Sequence, residues 1–342
     1  VVAESDTSLV AQEVSVDLNE VLIQNADSQD EWESITPTFA DDVPLTAAGS
    51  VALAAVLDRL IAEPPAAVHP VAWLGRGLAP LDRAWTHPRP AGAAAVVGAV
   101  AVAAGVAAGS VVLAAHVDPR LGAVVAGLVC FVATSRRMLV DEARAVVAAS
   151  EADLPAARER LRALVGRETG ALSPGEVRSA AVESAAENLS DGLVAPLVGF
   201  ALLAPVSLAA AAGAAAAVKA VNTLDSTFGY RSVPMGWAPA RLDDAVMWVP
   251  ARASAALLAV VSRRPTAVGA ARSLAGATAS PNAGWPMGTL AVVLGVRLAK
   301  PGAYALDGGT ALPTRAEADR GVAVVSRAGW LAFALTGVVA LC

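Results

Sequence analysis

Two long runs of uncharged residues constrain the fold of this chain more than any other feature of its sequence. Residues 91–115 form a run of 25 and residues 192–218 form a run of 27, and most members of both are apolar. A helix rises about 1.5 Å per residue, so about 20 apolar residues cross the ~30 Å hydrocarbon core of a bilayer. Both runs predict membrane-spanning helices, and the longer run is the strongest such signal in the chain.

Five further apolar segments are shorter or are interrupted by a charge: 45–62, 121–134, 245–261, 285–296 and 329–342. The whole chain is 56% hydrophobic and only 16% charged, which is too apolar for an ordinary soluble enzyme. Alanine dominates and aromatic residues make up 4%, a composition that favours closely packed helices over a membrane β-barrel. We therefore predict an all-α, polytopic integral membrane protein with about four to six spans and amphipathic helices in its polar loops.

Charge is distributed unevenly along the chain. Residues 1–43 contain eleven acidic residues and no Lys or Arg, whereas the rest has 25 basic against 20 acidic residues. The first segment is predicted to be a disordered arm or an unrelated fused segment, and 44–342 a single membrane-embedded domain. No basic run is interleaved with aromatic residues, which argues against a nucleic-acid partner. Eight arginines between 135 and 190 favour the cytoplasmic side for that loop.

The first cluster of polar residues lies where the longest apolar run begins. Glu183, Glu187 and Asp191 are spaced four residues apart, so they share one face of a helix, and Asn188 lies beside them. Three carboxylates on one face repel each other unless a cation lies among them, and Mg²⁺ takes oxygen ligands partly from phosphates. The cluster predicts a magnesium–phosphate site, and a solvated helix face is the alternative interpretation.

A second cluster closes the same run and contains Lys219, Asn222, Thr223, Asp225 and Ser226. Their amide, hydroxyl and carboxylate oxygens suit a metal–phosphate group. Lys219 is one of two lysines in the chain and can bind phosphate as a point charge. The alternative is that Lys219 only extends from the membrane edge into water.

A third cluster combines paired carboxylates with two arginines. Asp243 and Asp244 follow Arg241, and Arg252 comes eight residues later. Adjacent aspartates repel each other and are usually either exposed or bound to a cation. The cluster predicts either a salt-bridge network or a further part of the metal site.

Two segments rich in turn-forming residues carry the remaining candidates. Ser280 and Asn282 lie in the loop SPNAGWP, where they either stabilise the turn or face a substrate. His69 and Arg76 lie near residue 70, and His69 is either a packed or capping residue or a base. The chain contains no GxxxxGK[ST], GxGxxG, GxSxG or HExxH motif, so any nucleotide site is of another design.

Taken in chain order, these clusters resemble the adenosylcobinamide-phosphate synthase (CobD/CbiB) family of cobalamin biosynthesis, a family of polytopic membrane enzymes. The resemblance covers roughly residues 45–330 and rests on HPVAWLGR at 69–76, ESAAENLSDGLVAPL at 183–197, KAVNTLDSTFGYRS at 219–232, ARLDD at 240–244, PAR at 250–252 and SPNAGWP at 280–286. Members of that family commonly continue the last segment with Glu-Ala, where this chain has Met287 and Gly288.

The resemblance implies an ATP- and Mg²⁺-dependent amide ligation. It would join (R)-1-aminopropan-2-ol O-phosphate, or aminopropanol itself, to the carboxyl group of the corrinoid adenosylcobyric acid and form adenosylcobinamide phosphate. It also implies a multi-pass protein of the cell (inner) membrane with a cytoplasmic active site. The lipid bilayer and the corrinoid are then its partners, together with a homo-oligomer or a membrane complex with other corrinoid enzymes.

From the charges that the implied reaction must bind, we assign hypothetical roles to the candidate residues. The implied Mg²⁺ ligands are Glu183, Glu187, Asp191, Asp225, Asp243 and Asp244. The first four of these and His69 are the implied catalytic residues, and a carboxylate or His69 would take the proton from the attacking ammonium. The implied phosphate- and substrate-binding residues are Arg76, Asn188, Lys219, Asn222, Thr223, Ser226, Arg241, Arg252, Ser280 and Asn282.

Two other classes of protein fit parts of the same pattern. A membrane prenyltransferase also holds Mg²⁺-diphosphate with Asn and Asp side chains, and Asn188-x-x-Asp191 and Asn222-x-x-Asp225 imitate that arrangement. A transporter or scaffold would use intramembrane charges to line a pathway. Consumption of ATP separates the three classes, because only the ligase needs it.

Overall fold

The computed structural model describes residues 43–81, 83–229 and 234–341, so residues 1–42 of the acidic segment lie outside the described residues. From Val43 onward the chain forms one unit, and its regular structure is almost entirely helical. The first eight helices are α1 Val43–Ile61, α2 Pro70–Leu78, α3 Pro88–Val117, α4 Pro119–Ala133, α5 Arg137–Ala152, α6 Leu154–Leu161, α7 Pro174–Leu189 and α8 Ala195–Leu203. They are followed by α9 Leu208–Phe228, α10 Trp237–Val246, α11 Trp248–Val261, α12 Ala267–Ala275, α13 Gly284–Leu294, strands β1 Arg297–Lys300 and β2 Tyr304–Asp307, and α14 Arg315–Val339.

Local sequence explains where several helices begin. The Asp118 carboxylate accepts the Arg120 amide hydrogen at 2.7 Å and caps α4. Ser173 and Glu176 form a capping box at the start of α7, in which each side chain binds the backbone N–H of the other. The same arrangement begins α14. These caps satisfy amide groups that have no partner inside the helix.

The membrane prediction is confirmed in its main point. Four helical stretches are long and apolar enough to cross a bilayer: Pro88–Val117, Pro119–Ala152, Pro174–Leu203 and Arg315–Val339. The pair Pro234–Val246 and Trp248–Val261, bent by 47°, would make a fifth. Four to five candidate spans in the described part of the chain fall within the predicted range of four to six.

The prediction that 192–218 is one span is wrong. The first part of this run ends the helical stretch Pro174–Leu203, and the chain turns at residues 204–206 before α9 begins. Pro205 has no amide hydrogen to continue a helix, and the Ser207 hydroxyl caps α9 by accepting the Ala210 amide hydrogen at 3.0 Å. Helices α8 and α9 pack against each other, so the uncharged run folds back as a helical hairpin.

Helix α9 lies in the middle of the bundle, against α3, α4 and α8. Its contact with α3 is close because Gly213 lies at the crossing. A Cβ atom at Gly213 would be 3.2 Å from the Ala104 carbonyl oxygen and 3.4 Å from the Ala108 Cβ. Small residues therefore allow the backbones to approach, as in other helix pairs of membrane proteins.

A buried ion pair joins three helices that are distant in sequence. The Arg136 Nε atom donates to Asp58 Oδ2 at 2.9 Å, and the Asp58 side chain is fully buried. The backbone amides of Arg136 and Arg137 donate to the other oxygen of Asp58 at 3.0 and 2.9 Å. The Arg136 guanidinium also donates to the Ser326 hydroxyl and lies 4.1 Å from the centre of the Trp330 ring. This network connects α1, the start of α5 and α14.

Strands β1 and β2 form an antiparallel hairpin, the one sheet within the described residues and a departure from the predicted all-α fold. Helix α13 ends at Gly295, whose φ of +71° is a left-handed conformation that favours glycine. The hairpin packs on α7, where the Ser179 hydroxyl accepts the Ala299 amide hydrogen at 2.8 Å. This placement brings Tyr304 to the acidic face of α7.

Candidate active site

The acidic face of α7 continues into one wider turn of π-helix, Ser190–Val194, before α8 begins. The Gly192 carbonyl oxygen accepts the Ser135 amide hydrogen at 2.9 Å, and the residue four positions later in the helix is Pro196, which has no amide hydrogen to donate. Asp191 lies in this turn. Single π turns inside helices occur frequently at functional sites.

Carboxylates from three segments of the chain meet beside this turn. Asp191 interacts electrostatically with Glu187, Asp225 and Asp243, and Asp243 also interacts with Asp244. Asp243 is buried, and its Oδ1 atom has no hydrogen-bond partner among the described residues. We call Glu187, Asp191, Asp225 and Asp243 the carboxylate cluster. The fold thus brings together acidic residues that the sequence analysis placed in three separate motifs.

The carboxylate cluster is not a ready-made metal cage. Among the described residues, no three His, Cys, Asp or Glu side chains converge closely enough to hold a metal ion. Mg²⁺ usually keeps several water ligands and is bound by one or two carboxylates together with substrate phosphates. An unpartnered buried oxygen on Asp243 among other carboxylates fits a cation that is held in this open way.

Glu183, the first of the three carboxylates predicted to share one helical face, already accepts hydrogen bonds from other side chains of the protein. The Ser179 hydroxyl donates to its Oε1 atom and the Tyr304 hydroxyl donates to its Oε2 atom, both at 2.7 Å. An Arg167 nitrogen lies 3.8 Å from Oε2. Burial, and then the neighbouring Glu183 carboxylate, raise the pKa of Tyr304, so its hydroxyl remains a donor at neutral pH. These contacts give Glu183 a role in holding the β-hairpin on α7.

Replacing Tyr304 by Phe tests that role. The substitution leaves the ring in place and removes one hydrogen bond to a buried carboxylate, which is worth about 1.5–3 kcal/mol. We expect the free energy of unfolding in detergent to fall by about that amount. A change below about 0.5 kcal/mol, the level of a neutral surface substitution, would contradict the assignment.

A cavity of about 290 Å³ lies next to the carboxylate cluster. Its polar lining includes Glu63, His69, Asn188 and Lys219, and Gly192 of the π turn also faces it. Lys219 interacts electrostatically with both Glu63 and Asp191. A single cation therefore connects the polar side of the cavity with the carboxylate cluster.

His69 is committed to the protein on both sides of its ring. Its Nδ1 atom accepts the Val71 amide hydrogen at 3.2 Å and caps α2, which leaves the ring proton on Nε2. Nε2 lies 3.9 Å from a Glu63 carboxylate oxygen. Burial lowers the pKa of His69 below its ordinary value of 6.5, Glu63 opposes this shift and Lys219 adds to it. His69 is thus a neutral capping residue with Glu63 near its other ring nitrogen, and the Glu63 side chain lines the cavity.

Two substitutions of His69 separate the stability that it contributes as an N-cap from the pH dependence that its titration causes. Asn is a good N-cap and has no titratable group, so His69→Asn should keep most of the stability, whereas His69→Ala should lose about 1 kcal/mol. In the native chain, the free energy of unfolding should fall as the pH drops below 6.5, because the unfolded state binds the proton first. The decline should end once the pH is below the lowered pKa of the folded state.

The measurement is unfolding at several pH values in detergent, with the native chain and both variants. The decline between pH 6.5 and the lowered native pKa should be smaller in His69→Asn than in the native chain. An equal decline in the two proteins would assign the pH dependence to other groups.

Arg252 and Asn282 connect α11 with the loop before α13 through hydrogen bonds and contacts with aromatic rings. Arg252 donates to the Trp248 carbonyl oxygen at 2.7 Å and to Asn282 Oδ1 at 3.1 Å, and it stacks over the rings of Trp248 and Trp285. The Asn282 amide donates to the Asp244 carbonyl oxygen at 2.8 Å, and Asn282 is only 3% exposed. These contacts hold the Asp243–Asp244 segment in place.

The remaining predicted residues bond mainly to their own segments. Arg76 and Arg241 are exposed; Arg76 reaches the Ala66 carbonyl oxygen at 3.4 Å, and Arg241 lies 3.9 Å from Asp244. The Thr223 and Ser226 hydroxyls donate to backbone carbonyl oxygens of α9, and the Ser280 hydroxyl accepts amide hydrogens of its own turn. Asn222 is half-buried one turn beyond Lys219.

Sequence reasoning did not select Glu63 or Tyr304 as site residues. Glu63 precedes two prolines, a weak signal for an ordered turn that presents its side chain. Tyr304 lies in a short strand that no motif predicts, and only the packing of the hairpin on α7 brings it to Glu183.

Comparison with known proteins identifies the family of the chain. The family described as CobD/Cbib protein matches residues 51–330. The cobalamin biosynthesis protein CobD of Geobacter metallireducens is 41% identical over 210 residues, which are 58% of this chain and 64% of that relative, just under two thirds of its length. The probable CobD protein of Methanothrix thermoacetophila is 32% identical over 301 residues, 84% of this chain and 95% of the relative.

The cobalamin biosynthesis protein CobD of Klebsiella pneumoniae is 36% identical over 265 residues, 73% of this chain and 81% of the relative. None of the solved structures matches the chain. The family match covers most of the chain and includes every candidate residue named above. The chain belongs to the CobD/CbiB family, and this membership supports a role in cobalamin biosynthesis.

Proposed function

We propose that this chain is an ATP- and Mg²⁺-dependent ligase that forms an amide bond between (R)-1-aminopropan-2-ol O-phosphate, or aminopropanol, and the carboxyl group of adenosylcobyric acid. One observation carries the proposal: Lys219 lines a small polar cavity and interacts electrostatically with Asp191 of the carboxylate cluster. The family membership supports the corrinoid pathway. The arrangement supports a reaction in which a phosphate, an amine and a carboxylate must be held close together.

The reaction has two chemical steps. A carboxylate is a poor electrophile, so a carboxylate oxygen of the corrinoid first bonds to the γ-phosphorus of ATP, and ADP leaves. The amine nitrogen then bonds to the acyl carbon, and phosphate leaves. The ammonium loses one proton before the attack and a second proton departs with the phosphate. Phosphoryl transfer depends mainly on positioning and on neutralising charge, which the residues at this site can supply.

The size of the cavity supports a proposal for where each substrate would bind. About 290 Å³ is at the lower limit for pockets that bind small molecules, so it suits an aminopropanol phosphate and excludes a corrinoid ring. Lys219 would bind the phosphate of the small substrate, and Asn188 would orient it. Glu63, which lines the cavity near His69, would take the first proton from the ammonium. The corrinoid would extend only its carboxyl arm into the site.

The carboxylate cluster would bind the nucleotide through Mg²⁺, which when bound neutralises phosphate charge. Asp243 and Asp191 are the members that we assign to this role, because Asp243 has the unpartnered oxygen and Asp191 interacts with Lys219. Arg252 and Asn282 would keep the Asp243 segment in position. Glu183 would act at a distance by holding the hairpin.

We further propose that the site faces the cytoplasm from the cell (inner) membrane. ATP is available on that side, and the arginine-rich segment 135–190 contributes Ser135, Met138 and Leu139 to the cavity lining. The homo-oligomer, or the membrane complex with other corrinoid enzymes, stays a prediction.

The experiment is a product assay with the purified full chain in detergent. Adenosylcobyric acid, aminopropanol phosphate, Mg²⁺ and ATP are incubated together, each is omitted in turn, and the products are read by mass spectrometry. A condensed product that requires ATP and appears with one ADP supports the ligase. Product formation without ATP, or no product from folded protein with either amine and with added membrane extract, would reject it.

A further inference from the structure

A second cavity, of about 670 Å³, lies at the end of α11 where the chain turns toward α12. Four of its lining residues are arginines, Arg263 and Arg264 after α11 and Arg320 and Arg327 on α14. We call these four residues the arginine cluster. The cavity shares no lining residue with the smaller cavity of the candidate active site. Arg252 of the candidate active site lies eleven residues before Arg263 of this cavity. Along a helix, that spacing corresponds to about 16 Å.

Within the described ranges, no carboxylate lines this cavity. In the part of the chain that the structure describes, no ion pair includes any member of the arginine cluster. Glu317 interacts electrostatically with Arg320, and its carboxylate also forms part of the capping box of α14. Four cations that share one cavity repel each other, so the arrangement favours an anion between them.

The fold holds two of these arginines in an unusual way. Arg263 has a φ of +53°, a left-handed conformation that is unfavourable for a residue other than glycine. Amide hydrogen bonds from Arg263 to Val260 and from Arg264 to Ala259, at 3.0 and 2.9 Å, maintain this turn. The negative end of the α11 dipole accounts for cations at this point, but not for Arg320 and Arg327, which come from another helix.

The cavity also contains a polar atom without a partner. The Ser262 hydroxyl oxygen is buried and has no hydrogen-bond partner among the described residues. The rest of the wall is apolar and includes Val324 and Leu294. A hydroxyl beside several guanidinium groups is a typical set of donors for a phosphate, because guanidinium forms paired hydrogen bonds with phosphate oxygens.

We propose that the arginine cluster binds a phosphate group. The group belongs either to the headgroup of an anionic phospholipid or to a soluble phosphate compound, since both present the same oxygens. Basic pockets between membrane helices are known binding sites for anionic headgroups, and α14 is one of the candidate spans. The proposal is independent of the ligase reaction.

The test uses the purified full chain in a neutral detergent and measures binding by calorimetry. The probes are dioctanoyl phosphatidylglycerol, dioctanoyl phosphatidylcholine, inorganic phosphate and ATP. The test variant is Arg320→Gln/Arg327→Gln. The matched control is Arg120→Gln/Arg272→Gln, which removes two exposed arginines outside the cavity. All four replaced side chains are exposed, so both proteins should fold, and circular dichroism verifies this.

We expect at least one anionic probe to bind the native chain, and we expect the test variant to bind that probe at least tenfold more weakly. The affinity of the control variant for the same probe should change little. Strong binding of phosphatidylglycerol, without competition from phosphate or ATP, identifies a lipid headgroup. Binding of phosphate or ATP with the same loss identifies a soluble ligand. The proposal is overturned if phosphatidylglycerol, inorganic phosphate and ATP all fail to bind, if phosphatidylcholine binds as well as every anionic probe, or if both variants lose binding equally.

Discussion

Replacing Asp243 by Asn is expected to lower the rate of ATP-dependent amide formation by about 10²–10³-fold, the usual effect of removing one preorganised electrostatic group. The substitution keeps the shape of the side chain and removes its charge. In the proposed site, the unpartnered Asp243 oxygen is the one that would share a cation with the nucleotide phosphates. Its loss should therefore affect the chemical step more than the binding of the corrinoid.

The same substitution should not reduce stability. Asp243 lies among other carboxylates, so removing one negative charge relieves repulsion, and the thermal midpoint should stay equal or rise. Asp191→Asn should behave in the same way. Asp319→Asn, an exposed aspartate 3.7 Å from Arg315, is the control and should leave the rate unchanged. Near-native rates in both cluster variants would contradict the assignment of the site.

Replacing Asp58 by Asn is expected to lower the free energy of unfolding by about 3–5 kcal/mol, because it leaves the buried Arg136 charge without its partner. The Asn oxygen can still accept one or two of the amide hydrogens, so the loss reports mainly on the charge. Denaturant unfolding in detergent, followed by circular dichroism, measures it. Asp141→Asn removes a half-exposed partner of Arg137 and should cost at most about 1 kcal/mol.

A second substitution distinguishes a lost ion pair from a general packing defect. Arg136→Met removes the other charge and retains much of the side-chain volume. The double variant Asp58→Asn/Arg136→Met should be less destabilised than the sum of the two single variants, because each single variant leaves one isolated buried charge and the double variant leaves none. Additive effects would contradict the view that the charge pair connects α1, α5 and α14.

Several features of the fold could be predicted from local sequence alone. Apolar runs predicted the spans, because a helix in a bilayer must satisfy its backbone internally and expose apolar side chains. The run 192–218 misled the prediction because hydropathy does not register a proline followed by a capping serine. The spacing of Glu187 and Asp191 placed them correctly on one helical face, where a periodic pattern is informative.

The candidate active site also has features that the sequence predicts and features that depend on tertiary packing. The residue types and their order along the chain determined the family, the membrane class and the carboxylates that would meet. The tertiary structure alone decided which carboxylate keeps a free oxygen and which one is occupied: Ser179 and Tyr304 bind Glu183, whereas Asp243 Oδ1 remains without a partner. It also turned His69 into a cap for α2 and Glu63 toward the cavity. Hydrogen-bond partners separated by 121 residues, such as Glu183 and Tyr304, depend on how helices and a hairpin pack, and no local pattern carries that information.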